Sequence, residues 1–400
     1  IMSSRYKGKS PFTISLIQPV CPGLVIDSIT REEPLHDLPE VRSPPQREPA
    51  SKVILASLAV SDARGNTLSF VTKRTKQKVG GVSAAHKDRD LRCRVNETNF
   101  YLHYSDYFHS AGVSIPKAWS IKAPGMDTRD PTPSFMLLLS NVKSTSAGAS
   151  AVRGSEVVKL DYYQTVAALT YLAEFHAAHW ESRDEDSTVF SLGGFGGDEY
   201  PLRGEGGDEP TSGSWGELGE KLQAMRPHVL RRIQTGLSRS RKHRTVVHGM
   251  FKSSNMILHT PSDPNAYPTV SCMDFKLSGR GYGVFDVATL LCESVEPTLL
   301  THEQREPELL DIYFQHLGAT LRSRKKPPLP PGYKLTDCTV MYELCLLAHC
   351  CRASEADGAG GYEYASWRCR QLCDRLETGY VDMDDSSWND AVYKAFPLLS

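Results

Sequence analysis

Two polar loops, each following a short apolar run, constrain the fold of this chain more than any other feature. The first reads VVHGMFKSSNMIL at residues 246–258, and the second lies in VSCMDFKLSGRGYGVFDVATLL at residues 270–291. Asn255 lies five residues after Met250, and Asp274 lies nineteen residues after Asn255, behind the strand-like run YPTVSCMDF. A carboxylate at the end of an apolar strand is costly to bury without a partner. Asn255 and Asp274 are therefore the first candidate site residues of the chain.

Upstream of these loops, the chain alternates β-rich runs with one helical run. The runs KVILASLAVSD (52–62) and TLSFVTKR (67–74) are separated by the turn residues ARGN, a pattern that predicts a hairpin. Apolar residues recur at helical spacing in DRDLRCRVNETNFYLHYSDYFHSAG (88–112), which ends in Gly. The runs VSIPKAWSI (113–121) and PSFMLLLSNV (133–142) predict two further strands. Together these segments predict a small mixed α/β unit.

The rest of the chain is mainly helical in character. The run DYYQTVAALTYLAEFHAAHWES predicts an amphipathic helix with Val166, Leu169, Leu172 and Phe175 on one side. The Gly-rich stretch SLGGFGGDEYPLRGEGGDEPTSGSWGEL that follows predicts a flexible surface insert. Further helices are predicted beyond residue 300, among them TVMYELCLLAHCCRAS and YASWRCRQLCDRLE. The predicted fold class is therefore α+β, with a small β-rich lobe followed by a larger helical lobe.

The N-terminal residues differ in composition from both lobes. Residues 1–52 are rich in Pro, Ser and charged residues, and only TISLIQPV reads as a short strand. Such composition is typical of an arm rather than of a folded unit. The predicted organisation is an N-terminal arm at 1–52, an N-lobe at 53–143 and a helical C-lobe at 144–400.

Charge, cysteine content and hydropathy indicate which partners and which compartment to expect. A formal net charge of −1 gives no field that would gather nucleic acid, so no nucleic-acid partner is expected. The ten cysteines are spaced too unevenly for a disulfide scaffold, which predicts reduced thiols. No apolar run approaches the roughly 20 residues of a membrane helix, so no transmembrane segment is predicted. We expect an intracellular protein, in the cytosol or an organelle lumen.

Phosphoryl transfer from ATP matches the residue types and their order along this chain. That reaction needs a cation on the phosphates, a metal between them and a carboxylate near the attacking hydroxyl. In a bilobal kinase the parts follow one another as a strand Lys, a helix Glu, a loop with base and Asn, and a metal-binding Asp. The chain offers Lys73, with Arg74 and Lys76 as competitors for its position, then Glu97, the first polar loop and Asp274.

Four motifs carry a resemblance to a known superfamily. The chain reads ETNFY on its first helix, LAEFHAAHW at a helix end, HGMFKSSN in the first loop and DFKLSGRGYGVFDVA in the second. From about residue 53 to 380 it resembles the choline-kinase and aminoglycoside-phosphotransferase superfamily. Its ecdysteroid-kinase-like (CHK kinase-like) branch, which has His-Gly-Asp-x-x-x-x-Asn and Asp-Phe-Gln in these loops, is most similar. The resemblance implies a bilobal protein-kinase-like α+β fold.

The resemblance also implies a cofactor site in the cleft between the lobes. Lys73 would bind the α- and β-phosphates of ATP, and Glu97 would pair with Lys73. Asn255 and Asp274 would hold Mg²⁺, which takes oxygen ligands. The cofactors are therefore ATP and Mg²⁺ if the cleft is functional, and none if it is not.

The position of the general base departs from the family pattern. The resemblance makes Asp286 and His248 supports of the loop, and places the base at Met250. A positioned base is worth about 10²–10⁴-fold in rate, and a thioether cannot take the hydroxyl proton. Lys276 stands where Gln is usual in the branch, and a cation there would neutralise part of the phosphate or metal site. Before Lys73, the segment CPGLVIDSITREEPL offers one glycine and no Gly-rich phosphate loop.

These departures favour a pseudokinase that serves as a binding or structural subunit of a larger assembly. The alternative is an active ATP- and Mg²⁺-dependent kinase that phosphorylates a hydroxyl of a small molecule, with a substitute carboxylate from the acidic Gly-rich insert. Residues 1–52 and the basic run 231–244 are the candidate contacts for protein partners. His176 and His179 in HAAHW are predicted to pack at a helix end rather than to bind metal, and the helical cysteines to lie in the core.

Overall fold

The computed structural model describes most of the two predicted lobes. The described residues are 26–34, 51–62, 67–77, 84–122, 134–141, 150–153, 159–181, 215–240, 242–263, 266–354, 363–380 and 383–397.

The first lobe contains a five-stranded antiparallel sheet in the order β1-β2-β3-β5-β4. Its strands are β1 Ile26–Pro34, β2 Ser51–Asp62, β3 Thr67–Gln77, β4 Ala118–Lys122 and β5 Ser134–Ser140. The predicted hairpin corresponds to β2 and β3, and the two later predicted strands correspond to β4 and β5.

Strand β1 lies within the segment that composition assigned to an arm. It pairs antiparallel with β2 and forms an edge of the sheet. Its sequence, IDSITREEP, alternates too weakly between apolar and polar residues to be recognised as a strand. Strand β2 begins at Ser51, so residues 51 and 52 of the predicted arm also belong to the sheet. The rest of the predicted arm, including TISLIQPV, lies outside the described residues.

Two helices connect β3 to β4. Helix α1 spans Ala84–His103 and helix α2 spans Ser105–Ser110. The chain therefore runs strand, strand, helix, strand, strand, as the sequence predicts, and the α+β prediction is confirmed for this lobe.

The second lobe is mainly helical, and short strands carry its loops. The helices are α3 Tyr162–Ala178, α4 Gly216–Arg239, α5 Val284–Glu293, α6 Pro297–Thr301, α7 Glu306–Ser323, α8 Leu335–Ala353, α9 Glu363–Glu377 and α10 Asp385–Ala395. The strands are β6 Ser150–Arg153, β7 Arg244–Val247, β8 Met256–Thr260, β9 Thr269–Cys272 and β10 Gly279–Tyr282. Strands β6, β8 and β9 form one small antiparallel sheet, and β7 pairs with β10 in another.

Helix α3 is buried around most of its circumference rather than along a single stripe. Leu169, Leu172 and Phe175 are buried as predicted, and Ala168 and Ala177, on other sides, are buried as well. The helix begins with a capping box in which Asp161 accepts the N–H of Gln164. Its small alanines allow neighbouring elements to approach closely, so α3 is a central helix of the lobe.

The cysteines of the described residues are free thiols, and all of them except Cys93 are buried. Cys345, Cys350 and Cys351 lie on the buried face of α8, and Cys369 and Cys373 lie on that of α9. The core position predicted for the helical cysteines is therefore observed.

The basic run 231–244 is partly internal. Arg232 is buried, its Nε donates to the carbonyl of Phe396, and its guanidinium lies 4.8 Å from the Tyr393 ring centroid. Arg244 is also buried and donates to the carbonyl of Leu237. Both arginines satisfy backbone carbonyls inside the protein, so this run does not present the continuous basic surface expected from the sequence.

No helix within the described residues combines the length and the apolar composition that a bilayer crossing requires.

A group of four stacked phenylalanines, which we call the aromatic column, connects α1 to the second lobe. Phe100 on α1 stacks on Phe275 with ring centroids 3.8 Å apart and an interplanar angle of 7°. Phe108 stacks on Phe175 of α3 at 4.5 Å, and Phe275 lies 6.1 Å from Phe175. All four rings are buried, so the column fixes the position of α1 relative to the loop that carries Asp274.

We expect Phe100→Ala to lower the free energy of unfolding by about 3–5 kcal/mol, because it leaves a cavity against Phe275. Leu102→Ala on the same helix is the control, since Leu102 is 49% exposed and should change the free energy by less than about 0.5 kcal/mol. Urea unfolding of both variants measures the difference, and similar losses would contradict a special role for the column.

Candidate functional site

Three predicted site residues, one on each of three separate elements, form a single ion-pair cluster. Lys73 on β3 places its Nζ 2.8 Å from both carboxylate oxygens of Glu97 on α1. The same Nζ lies 2.7 Å from Oδ1 of Asp274. Burial lowers the pKa of Lys73, but the negative charges of Asp274 and Glu97 outweigh it and raise that pKa above its ordinary value. Lys73 therefore remains protonated, as a phosphate-binding cation must.

Of the three cations that competed for this position, Lys73 occupies it. The side chains of Arg74 and Lys76 lie outside the described residues. The structure thus brings together Lys73, Glu97 and Asp274, which are up to 201 residues apart in sequence.

Asp274 is held in a conformation that few residues adopt. Its backbone lies in the left-handed region, with φ 70° and ψ 59°, directly before the 3₁₀ turn Phe275–Leu277. Asp tolerates this region better than most residues, and such strain persists where the surroundings fix it. Here the stacked ring of Phe275 and the two ion pairs of Asp274 provide that constraint.

Lys276 is the second cation on Asp274. Its Nζ lies 2.8 Å from Oδ2, while Lys73 holds Oδ1. Burial raises the pKa of Asp274, but the charges of Lys276 and Lys73 outweigh it and hold that pKa well below its usual range. The carboxylate is therefore ionised and is shared between two ammonium groups.

Asp286 fixes the start of the 248–255 loop. This carboxylate is fully buried, and it accepts the N–H of His248 on Oδ2 at 2.6 Å and that of Gly249 on Oδ1 at 2.9 Å. His176 of α3 contacts Oδ2 through Nε2 at 3.1 Å, and the hydroxyl of Tyr313 lies 2.9 Å from its Nδ1. Because a carboxylate only accepts, Nε2 of His176 donates to Asp286. Asp286 lies where the resemblance predicts a loop support, and it contacts the loop backbone and the His176 ring.

His248 supports the same loop from within. Its Nε2 lies 3.0 Å from the carbonyl of Met273, and its Nδ1 lies 3.2 Å from the N–H of Met250. Since a carbonyl only accepts and a backbone N–H only donates, the proton lies on Nε2 and the ring is neutral. Burial lowers the pKa of His248 and favours this neutral form. His248 therefore connects the 248–255 loop to the 273–278 loop.

Asn255 is joined to the Asp274 loop through its backbone, since its carbonyl accepts the N–H of Met273 at 2.9 Å, while its side chain bonds to the predicted base position. The carboxamide Nδ2 of Asn255 donates to the carbonyl of Met250 at 2.9 Å. Further along the loop, Lys252 pairs with Glu293 at 3.0 Å, and the N–H of Ser253 donates to Ser294. The loop around Met250 is therefore held both by bonds within it and by bonds to Glu293 and Ser294.

The metal predicted for Asn255 and Asp274 does not fit the donor set. Mg²⁺ requires oxygen ligands, but both carboxylate oxygens of Asp274 already accept from ammonium groups of Lys73 and Lys276. A dication on this carboxylate would lie beside two positive charges, and like charges destabilise each other. In the part of the chain that the structure describes, no group of three or more His, Cys, Asp or Glu residues could hold a metal ion.

A cavity of about 660 Å³ lies elsewhere, along α3 and α7. Its walls include Tyr162, Tyr171, Glu174, Tyr267 and His316, and it shares no lining residue with the site of Lys73 and Asp274. The residues of the ion-pair cluster therefore do not line this cavity.

The sequence patterns do not reveal the roles of two residues, His176 and Asn96. The HAAHW motif marks His176 but predicts helix-end packing for it, whereas its ring bonds to Asp286. The carboxamide Nδ2 of Asn96 donates to the carbonyls of Lys276 and Ser278, and it neighbours the recognised Glu97. His179, the other histidine of the motif, packs against Tyr104 and Tyr107.

Comparison with known proteins agrees with the motifs. The model of the ecdysteroid kinase-like family matches residues 209–326, which include the 248–255 loop, Asp274 and Asp286. This match confirms the resemblance predicted from the sequence and supports the choline-kinase and phosphotransferase superfamily for this chain. An ethanolamine kinase of Plasmodium vivax is a similar solved structure, with 9% identity, a TM-score of 0.35 and coverage of 83% of this chain and 84% of the other. That TM-score is too low to support an assignment. No curated protein matches the chain.

Gly249 lies where only glycine fits, since its φ is +78° and an added Cβ would lie 2.0 Å from the carbonyl oxygen of Leu277. We expect Gly249→Ala to lower the free energy of unfolding by roughly 3 kcal/mol or more, from backbone strain plus this clash. Gly112→Ala is a matched control, because Gly112 has the same φ but nothing within 4 Å of its Cβ position.

The control should lose only about 1–2 kcal/mol, the ordinary strain of the left-handed region. Thermal and urea unfolding of the two variants measures the difference. Equal losses would show that the 248–255 loop does not pack against Leu277 as described.

Proposed function

We propose that this chain is a catalytically impaired kinase-fold protein, a pseudokinase, that serves as a binding or structural subunit of a larger assembly. The observation that carries the proposal is Met250, at the base position of an otherwise well-formed loop. Its backbone N–H and carbonyl are bonded to His248 and Asn255. The side chain of Met250 offers a thioether where the family pattern has a carboxylate.

Loss of the base removes a rate contribution of about 10²–10⁴-fold while leaving binding groups in place. Lys73 is charged and paired with Glu97, as a phosphate-binding lysine requires. The Asp286 bonds hold the loop in a fixed shape. These features support a protein that has kept the architecture of a nucleotide cleft and lost its chemistry.

The second candidate is an active ATP- and Mg²⁺-dependent kinase acting on a hydroxyl of a small molecule. The assembled cluster of Lys73, Glu97 and Asp274 favours it. It would need a carboxylate to replace the one missing at Met250, and the acidic part of the Gly-rich insert that could supply one lies outside the described residues. It would also need Lys276 to leave Asp274, and for these two reasons it ranks second.

The assembly partner is proposed to contact the segment at 1–52, whose Pro-rich and charged composition is typical of segments that order against a partner. The basic run 231–244 is a weaker candidate, because Arg232 and Arg244 are buried. Native size-exclusion chromatography of the chain from the cells that make it, with and without residues 1–25, tests this contact. An apparent size that does not change on truncation would contradict it.

We expect the purified chain to show no ATP consumption above background, with Mg²⁺ present and small alcohols and amino alcohols as acceptors. The physical reason is the absent base at Met250 together with the occupied carboxylate of Asp274. ADP release measured by a coupled assay gives the rate.

Lys73→Ala separates real turnover from contamination, because it removes the phosphate-binding cation of this chain and affects no other enzyme in the sample. A rate that is present in the wild type and lost in Lys73→Ala would overturn the pseudokinase proposal. A rate that persists in Lys73→Ala would come from a contaminant.

A further inference from the structure

We propose that the ammonium of Lys276 takes the place of the divalent metal in this cleft, so that the site binds a nucleoside triphosphate without a metal ion. This inference rests on the proposed function, since it assumes that the cleft still binds a nucleotide. The ligand would be a metal-free triphosphate, and Lys276 would supply the positive charge that a metal ion otherwise brings.

The first support is the geometry at Asp274. Oδ1 lies 2.7 Å from Nζ of Lys73, and Oδ2 lies 2.8 Å from Nζ of Lys276. The carboxylate therefore has an ammonium on each oxygen, and a metal on it would lie beside two positive charges. Lys276 reaches Asp274 from only two positions along the chain, so its side chain needs no distant element to hold it there.

The second support is the fixed backbone of Lys276. Its carbonyl accepts from Asn96 Nδ2 at 3.1 Å, and the carbonyl of Ser278 accepts from the same group at 2.6 Å. On the other side of Lys276, Phe275 is buried and stacks on Phe100. Because the residues on both sides are anchored, the ammonium is delivered to the cleft by a rigid turn rather than by a mobile loop.

The third support is the exposure of the three charged side chains. The side chain of Lys276 is 39% exposed, against 14% for Lys73 and 19% for Asp274. An ammonium has three N–H donors, and among the described residues the ion pair of Lys276 is with Asp274 alone. The N–H groups that Asp274 does not use are therefore available to phosphate oxygens from solvent.

Lys276 also removes the net negative charge that the cluster would carry with Lys73 alone. Lys73 and Lys276 carry two positive charges, and Glu97 and Asp274 carry two negative charges, so the four groups are neutral in sum. In a site with one lysine, the second carboxylate needs a metal before a phosphate can approach. Here Lys276 already neutralises it, and lysine is a common phosphate-binding cation.

The test is the affinity of the full-length chain for ATP, by isothermal titration in EDTA and again in excess Mg²⁺. We expect the two dissociation constants of the wild type to agree within about threefold. Lys276→Gln removes the cation and keeps a side chain of similar length. In EDTA it should bind ATP roughly 10- to 100-fold more weakly, the range for a hydrogen bond to a charged group. Mg²⁺ should restore much of that loss.

Lys221→Gln is the matched control. Lys221 lies on α4 and pairs with Glu217 and Glu377, away from the cleft, so this variant should bind ATP like the wild type in both buffers. Thermal unfolding of each variant checks that the fold is intact, and a 1:1 stoichiometry identifies one binding site.

Three results would overturn the inference. Wild-type binding that requires Mg²⁺ would show that the metal is not replaced. Metal-free binding that is unchanged in Lys276→Gln would show that Lys276 does not supply the charge. No ATP binding in either buffer would also overturn it, while leaving the pseudokinase proposal standing. The pseudokinase proposal has its own test, and it is overturned by ATP turnover that is present in the wild type and lost in Lys73→Ala.

Discussion

The buried carboxylate of Asp286 is the interaction on which the rest of the site depends. An ionised carboxylate without solvent is very unfavourable unless it is fully hydrogen-bonded. Asp286 meets this requirement by accepting two backbone N–H groups from the 248–255 loop and the Nε2–H of His176. Asp286 lies on α5, His176 lies on α3, and the two N–H groups belong to the loop. The hydrogen bonds of one carboxylate therefore hold α3, α5 and the 248–255 loop together.

The 273–278 loop is fixed in turn by the 248–255 loop. His248, held by Asp286 at its backbone, donates through its ring to the carbonyl of Met273. Met273 directly precedes Asp274, whose side chain then reaches Lys73 in the first lobe. A continuous series of contacts thus runs from the centre of the helical lobe to the five-stranded sheet, and the aromatic column runs beside it.

The sequence predicted the parts of this arrangement that have a local signature. The β2–β3 hairpin follows from alternation and a turn, and Lys73, Glu97 and Asp274 were identified by residue type and chain order. Asn255 was identified by its spacing from Met250. These features depend on periods and distances along the chain, which a single sequence displays directly.

What the sequence did not predict depends on which residues meet in space. Strand β1 is defined by its pairing with β2 rather than by its own pattern. The run 231–244 is basic in composition, but helix geometry and the position of β7 direct Arg232 and Arg244 inward. The burial of α3 around most of its circumference likewise reflects neighbours on several sides, which the apolar stripe of Val166, Leu169 and Leu172 does not reveal. His176 could not be assigned to Asp286 because the two residues are 110 positions apart in the chain.

The bonding of Met250 has a consequence for substitutions at this position. The hydrogen bonds that shape the loop at this position use only its backbone N–H and carbonyl. Every residue type except proline keeps the N–H and the carbonyl that these two bonds use. Folding and chemistry are thus encoded by different atoms of the same residue. A substitution at position 250 can therefore change the chemistry that the side chain offers, while the hydrogen bonds that shape the loop remain.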